Sequence, residues 1–137
     1  MPFRPRKLVV LLCLMMVHAS AGADEPAPTY KTIEVEQFEK LLAAKKDDRP
    51  VIILDVRTAE EYKAGHLKDA VLIDYKAKDF DQKIKALDKS RTYVVYCASG
   101  YRSSSACKKL QSLDFPQLYN LKGGVTAWAK AGKPTEK

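Results

Sequence analysis

Two short runs, Val51-Ile52-Ile53-Leu54 and Thr92-Tyr93-Val94-Val95-Tyr96, constrain this chain more than any other feature. Both are continuous rather than alternating, and rich in β-branched or aromatic residues. A strand with one face in water alternates apolar and polar side chains, so a strand without alternation is expected to be buried on both faces. That arrangement needs helices above and below the sheet, and helical connections make the strands parallel. The expected fold class is α/β, three layers (α/β/α) around a central, mainly parallel sheet.

The rest of the pattern supplies five strands and about five helices. Tyr30 to Ile33 reads as a short edge strand. Val35, Phe38, Leu41 and Leu42 have helical spacing over Val35 to Ala44, and Lys45 to Pro50 is a polar turn. Thr58-Ala59-Glu60-Glu61 is a capping box opening a short helix that Gly65 closes. Ala70 to Ile73 is expected as a strand, Phe80 to Leu87 as a helix, Ser103 to about Leu113 as a helix and Gln117 to Leu121 as the last strand. Gly123-Gly124 turns the chain into a final helix around Trp128, stopped by Gly132 and Pro134.

At 137 residues there is room for one domain. The first 23 residues are set apart from it. Arg4, Arg6 and Lys7 precede the apolar run Leu8 to Val17, and Ala21 to Ala23 form an Ala-x-Ala site, the pattern of a cleaved secretory signal. An uncleaved N-terminal anchor is the alternative. Cys13 lies within the apolar run without the small residues that precede a lipoprotein cysteine, and is read as a passenger. The expected organisation is a signal at 1–23, a flexible leader at 24–29 and the domain at 30–137. The mature chain is then expected in the periplasm or outside the cell, with no membrane association.

The formal charge of +7 falls once the signal is removed: 21 basic residues face 17 acidic ones, a net +4. The lysines are scattered among acids and no basic block carries interleaved aromatics, so nucleic acid is not an expected partner. A mildly positive surface favours small anions. Cys97 and Cys107 remain after maturation, and a disulfide between them is not expected. One ends a strand and the other lies more than a turn into the following helix, beyond bridging reach. Cys107 shares a helix face with Ala106, Leu110 and Leu113 and reads as a core thiol. His66 is the one mature histidine, and no Cys-x-x-Cys occurs, so no metal set is expected.

Chemistry concentrates in Tyr96-Cys97-Ala98-Ser99-Gly100-Tyr101-Arg102-Ser103. A strand runs into a cysteine, then a short glycine-containing loop, then a helix start. In an open parallel sheet the ligand site lies beyond the carboxyl ends of the strands. Gly100 lets the loop curl so that its N–H groups converge, and those amides with the helix dipole stabilise a thiolate and an approaching anion. This implies sulfur or phosphorus chemistry on anions, with a chemically inert strand-end cysteine as the alternative.

Three blocks in order resemble the rhodanese (thiosulfate sulfurtransferase) family in its single-domain form. They are Leu54-Asp55-Val56-Arg57-Thr58-Ala59-Glu60-Glu61-Tyr62-Lys63-Ala64-Gly65-His66-Leu67, the loop Cys97 to Ser103, and Leu121-Lys122-Gly123-Gly124-Val125-Thr126-Ala127-Trp128 with Ala131-Gly132-Lys133-Pro134. The resemblance spans about Lys31 to Pro134 and implies a three-layer rhodanese-like domain with a five-stranded sheet. It implies Cys97 as nucleophile, attacking the outer sulfur of thiosulfate or a related donor and passing it as a persulfide to cyanide or a thiol, with no metal or organic cofactor. The binding loop would be Ala98, Ser99, Gly100, Tyr101, Arg102 and Ser103. Related phosphatases and arsenate reductases place five residues between cysteine and arginine. Here four separate Cys97 from Arg102, a loop too tight for phosphate.

Arg102 has two readings, a sulfonate contact or a brace paired with an acid. Asp55 and Arg57, just past a strand end, are read as supporting residues, as an ion pair or through contact with the loop. His66 is expected to bond helix-end carbonyls, and Trp128 to lie in the core. Ala98 and Ser99 are neutral where some family members carry a basic residue, which weakens the pull on thiosulfate. Tyr101 is read as an aromatic wall at the pocket mouth or a cover over its rim. Glu34 stands where a better N-cap residue is expected. A persulfide carrier serving a protein partner, and a silent interaction domain, are the competing functions. A monomer is expected.

Overall fold

The two continuous apolar runs become adjacent strands at the middle of a five-stranded sheet. The computed structural model describes residues 30–44 and 49–137. The expected signal at 1–23, the leader at 24–29 and part of the turn after the first helix lie outside the described residues. The elements run β1 (Lys31–Ile33), α1 (Val35–Ala43), β2 (Ile52–Asp55), α2 (Ala59–Ala64), β3 (Val71–Leu72), α3 (Phe80–Lys85), β4 (Tyr93–Tyr96), α4 (Tyr101–Ser112), β5 (Leu118–Leu121) and α5 (Gly124–Lys130). The sheet order is β1-β5-β4-β2-β3, and all its strand pairs are parallel.

Helices cover both faces, which is why β4 does not alternate. Tyr93 and Val95 pack with Phe80 and Ile84 of α3 and Ala106, Cys107 and Leu110 of α4. Val94 and Tyr96 point the other way, into a second cluster with Phe38 of α1 and Trp128 of α5. All four β4 side chains are fully buried. Each contributes about 1.5–3 kcal/mol by leaving water. Trp128 also donates from Nε1 to the Pro134 carbonyl at 2.8 Å, so its one polar atom is satisfied in the core.

Local signals set the helix ends. Thr58 Oγ1 accepts from the Glu61 amide while Glu61 Oε2 accepts from the Thr58 amide at 2.9 Å, the reciprocal bonding of a capping box. At α1 the N-cap is Glu34, whose own amide donates to Gln37 Oε1 at 2.9 Å. The main departure from expectation is the start of α4, at Tyr101 rather than Ser103. Gly100 adopts φ +105°, a left-handed conformation that reverses the chain at once. Tyr101 and Arg102 therefore join Ser103 in the first helical turn instead of lying in the loop. β3 is also only two residues long, half the expected run.

The topology places a crevice. From β2 the chain moves outward to β3, and from β4 it moves the opposite way to β5. The adjacent carboxyl ends of β2 and β4 are thus a topological switch point, where open parallel sheets bind ligands. Cys97 follows β4 there, and Asp55 ends β2.

Candidate active site

Cys97 leaves β4 as the first residue without a strand partner, and its side chain folds back beneath the start of α4. The Gly100 amide donates to its Sγ at 3.1 Å, and Ser103 Oγ lies 3.5 Å away. The residue is 1% exposed. Burial raises the energy of a thiolate. The Ser103 hydroxyl and the amides of Ser103, Gly100 and Ser99 more than offset that, holding the thiol below its ordinary pKa. The positive end of the twelve-residue α4 adds in the same direction. The thiol is lowered here without a histidine beside it. His66 Nδ1 instead lies 2.9 Å from the Tyr62 carbonyl, with the two rings stacked.

The amides converge because the loop carbonyls are held elsewhere. Val125 and Thr126, in the first turn of α5, donate to the carbonyls of Cys97 and Ala98 at 2.9 and 3.1 Å. That contact requires the glycine at 124. A Cβ there would meet the Cys97 oxygen at 2.1 Å and the Ala98 oxygen at 2.8 Å. The Gly123-Gly124 turn read from sequence is therefore also the seat on which the cysteine loop rests.

Arg102 reaches across the crevice to α2. Its Nη1 and Nη2 donate to Glu61 Oε2 and Oε1, both at 2.8 Å, a bidentate pair. Arg102 pulls the Glu61 carboxyl down to about 2, with smaller help from Thr58. Glu61 thus caps α2 and anchors the first turn of α4. Tyr101, one residue earlier, is 81% exposed at the rim.

Below the loop, Asp55 and Arg57 form a buried ion pair at 2.7 Å. Burial works against the Arg57 charge, and Asp55 outweighs it and raises the pKa. Arg57 also donates to the Gly65 carbonyl at 2.7 Å and lies over the Tyr96 ring, while Tyr96 Oη donates to Asp55 Oδ2. These contacts tie β2, β4 and the end of α2 together, and none of them reaches the loop's Sγ.

Cys107 sits on the face of α4 against the sheet, fully buried, with Sγ 3.8 Å from the Tyr119 carbonyl. It and Cys97 are separate thiols. Burial, with the Cys97 charge nearby, pushes the Cys107 thiol up to about 12. Among the described residues no group of three or more His, Cys, Asp or Glu side chains is placed to hold a metal ion.

Three residues of this architecture escape a reading of the sequence. Tyr96 and the Glu61 partner of Arg102 carry no local signal. Asn120 does: it is the one polar side chain inside the apolar run Leu118 to Leu121, and it accepts from Ser103 Oγ at 2.6 Å.

A parallel sheet with a cysteine loop at its switch point, seated on a glycine pair, defines a class of small α/β domains. The rhodanese-like domain family matches residues 34–131, and the chain belongs to it. It is 33% identical to a sulfurtransferase of Allochromatium vinosum, over 74% of this chain and 91% of that protein. It is 36% identical to a tRNA uridine(34) hydroxylase of Cytophaga hutchinsonii, over 88% of this chain but only 38% of that longer protein. A solved rhodanese-like domain from Anabaena sp. superposes with a TM-score of 0.66 at 30% identity, covering 79% of this chain and 80% of that one.

Proposed function

We propose that this protein is a sulfurtransferase, moving a sulfane sulfur from thiosulfate or a related donor to a nucleophilic acceptor through a Cys97 persulfide. The observation that carries the reading is the Gly100 N–H aimed at Cys97 Sγ from 3.1 Å, within a set of loop amides whose carbonyls are held away. In the first step the Cys97 thiolate attacks the outer sulfur of thiosulfate. A Cys97 S–S bond forms, the donor S–S bond breaks, and sulfite leaves with the electron pair. In the second step cyanide or a thiolate attacks the terminal sulfur and the Cys97 thiolate departs. The amides stabilise the anion on sulfur at each stage. The sulfurtransferase named among the relatives supports this reading. The N-terminal pattern supports a location outside the cytoplasm.

Intact-protein mass spectrometry after incubation with thiosulfate is the test. One added sulfur atom, removed by cyanide and missing only from Cys97→Ala, is the expected result. No added sulfur from any sulfane donor overturns it. A second reading, a persulfide carrier serving a protein partner, rests on Tyr101, an exposed aromatic beside the loop. Sulfur loading without multiple turnovers on cyanide favours the carrier.

A further inference from the structure

β5 carries a buried polar side chain inside its own apolar run. Asn120 is 5% exposed, paired in register with Val95 of β4, and shares the sheet face of Leu118. A buried amide is costly unless hydrogen-bonded, so its partners explain its presence. The partner is Ser103, itself fully buried, which donates to Asn120 Oδ1 at 2.6 Å. Ser103 Oγ is also 3.5 Å from Cys97 Sγ. Sulfur, hydroxyl and amide form a buried row at the first turn of α4.

The row has one hydroxyl proton to place. With Cys97 as a thiol, S–H donates to Ser103 and Ser103 donates to the Asn120 carbonyl. With Cys97 as an anion, the hydroxyl must turn to sulfur, and Asn120 Oδ1 then faces a lone pair. Rotating the amide by half a turn presents Nδ2–H to Ser103 and closes the row again. Asparagine carries an acceptor and a donor on one short side chain, whereas an ionised aspartate only accepts.

We infer that Asn120 is a positioning residue for sulfur transfer, exchanging its carbonyl for its amino group so that the Ser103 hydroxyl serves the Cys97 anion. This rests on Cys97 being the nucleophile. The Ser103 hydroxyl is the largest influence lowering the Cys97 thiol pKa against burial, which is why its direction matters. The other ionisable groups around the sulfur are Arg102, paired with Glu61; Asp55, paired with Arg57; and buried Cys107. None of them changes in the variants below.

The test is the pH profile of iodoacetamide alkylation, read at the Cys97 peptide of the full chain. Asn120→Asp holds the hydroxyl on its carboxylate and is expected to slow alkylation at neutral pH by roughly tenfold, a rise of about one pH unit. In a Ser103→Ala background the same substitution is expected to move the profile by less than half as much. Equal shifts in both backgrounds, or none in Asn120→Asp, overturn the proposal. A second readout leaves position 120 intact. The Asn120 side-chain amide NMR signals are expected to titrate with Cys97, and to stop doing so in Ser103→Ala. Signals indifferent to Cys97 ionisation overturn the proposal even if Asn120→Asp fails to fold. A wild-type Cys97 that titrates like an ordinary thiol sinks the nucleophile reading itself, a separate result.

Discussion

The α-carbon of Gly124 approaches the Cys97 main chain so closely that no side chain fits between them. A Cβ would lie 2.1 Å from the Cys97 carbonyl oxygen, and φ of +54° already disfavours any other residue. Gly124→Ala is expected to destabilise the fold by about 2–5 kcal/mol, the sum of left-handed strain and overpacking. It is also expected to slow sulfur loading of Cys97 about 100-fold, since the amides no longer converge. Urea denaturation and loading kinetics on the folded fraction check the two effects.

Glu61 and Arg102 link stability to pH. The folded-state pKa of Glu61 is about 2 against an ordinary 4.5. A depressed carboxylate pKa means the pair stabilises fully above about 4.5, and the gain is lost as pH falls toward 2. Glu61→Gln retains a capping-box residue for α2 and removes only the charge. Wild type is expected to exceed Glu61→Gln in stability at pH 7, with the gap closing between pH 4.5 and 2. A gap constant over that range refutes the pairing.

Under the proposed sulfur transfer, the same pair bears on donor choice. With both guanidinium arms on Glu61, Arg102 has none turned to a sulfonate. Releasing it in Glu61→Gln is expected to raise kcat/KM for thiosulfate relative to an uncharged alkyl persulfide by about fivefold, one added charge-assisted hydrogen bond. A fall in that ratio assigns Arg102 to bracing alone.

The two buried cysteines should respond oppositely to alkylation. Loop hydrogen bonds keep the Cys97 thiol low, while burial holds Cys107 near 12. Iodoacetamide at pH 7.5 is expected to modify Cys97 (about the range in which lowered thiols react) and spare Cys107 until the protein unfolds. Peptide mapping with and without urea distinguishes them.

Asp55→Asn leaves the Arg57 guanidinium buried at 5% exposure without its counter-charge. Breaking such a pair costs about 3–5 kcal/mol. Urea unfolding is expected to register that loss. A change below about 1 kcal/mol, the level of a surface pair, means the pair is solvated in solution.

Strand and helix periods, the Thr58 capping box and the Gly123-Gly124 turn were legible because each depends on residues within a few positions. Boundaries slipped where tertiary pairing took over. β2 runs on to Asp55 because that residue registers with Tyr96 of β4 and Leu72 of β3. α4 starts two residues early because Gly100 takes a left-handed conformation that composition permits but does not demand.

The sequence by itself determined the class of fold and the place of the thiol, because a doubly buried strand and a strand-end cysteine are written in consecutive residues. It also carried the family resemblance, in three short blocks. The partner of Arg102, 41 residues away at Glu61, was decided only by how α2 and α4 lie across the crevice. So were the seat that Gly124 offers the cysteine loop and the buried row from Cys97 through Ser103 to Asn120. Hydrogen bonds and close approaches of this kind are set over a few ångströms, and elements far apart in the chain reach that range only once the sheet has stacked its helices on both faces.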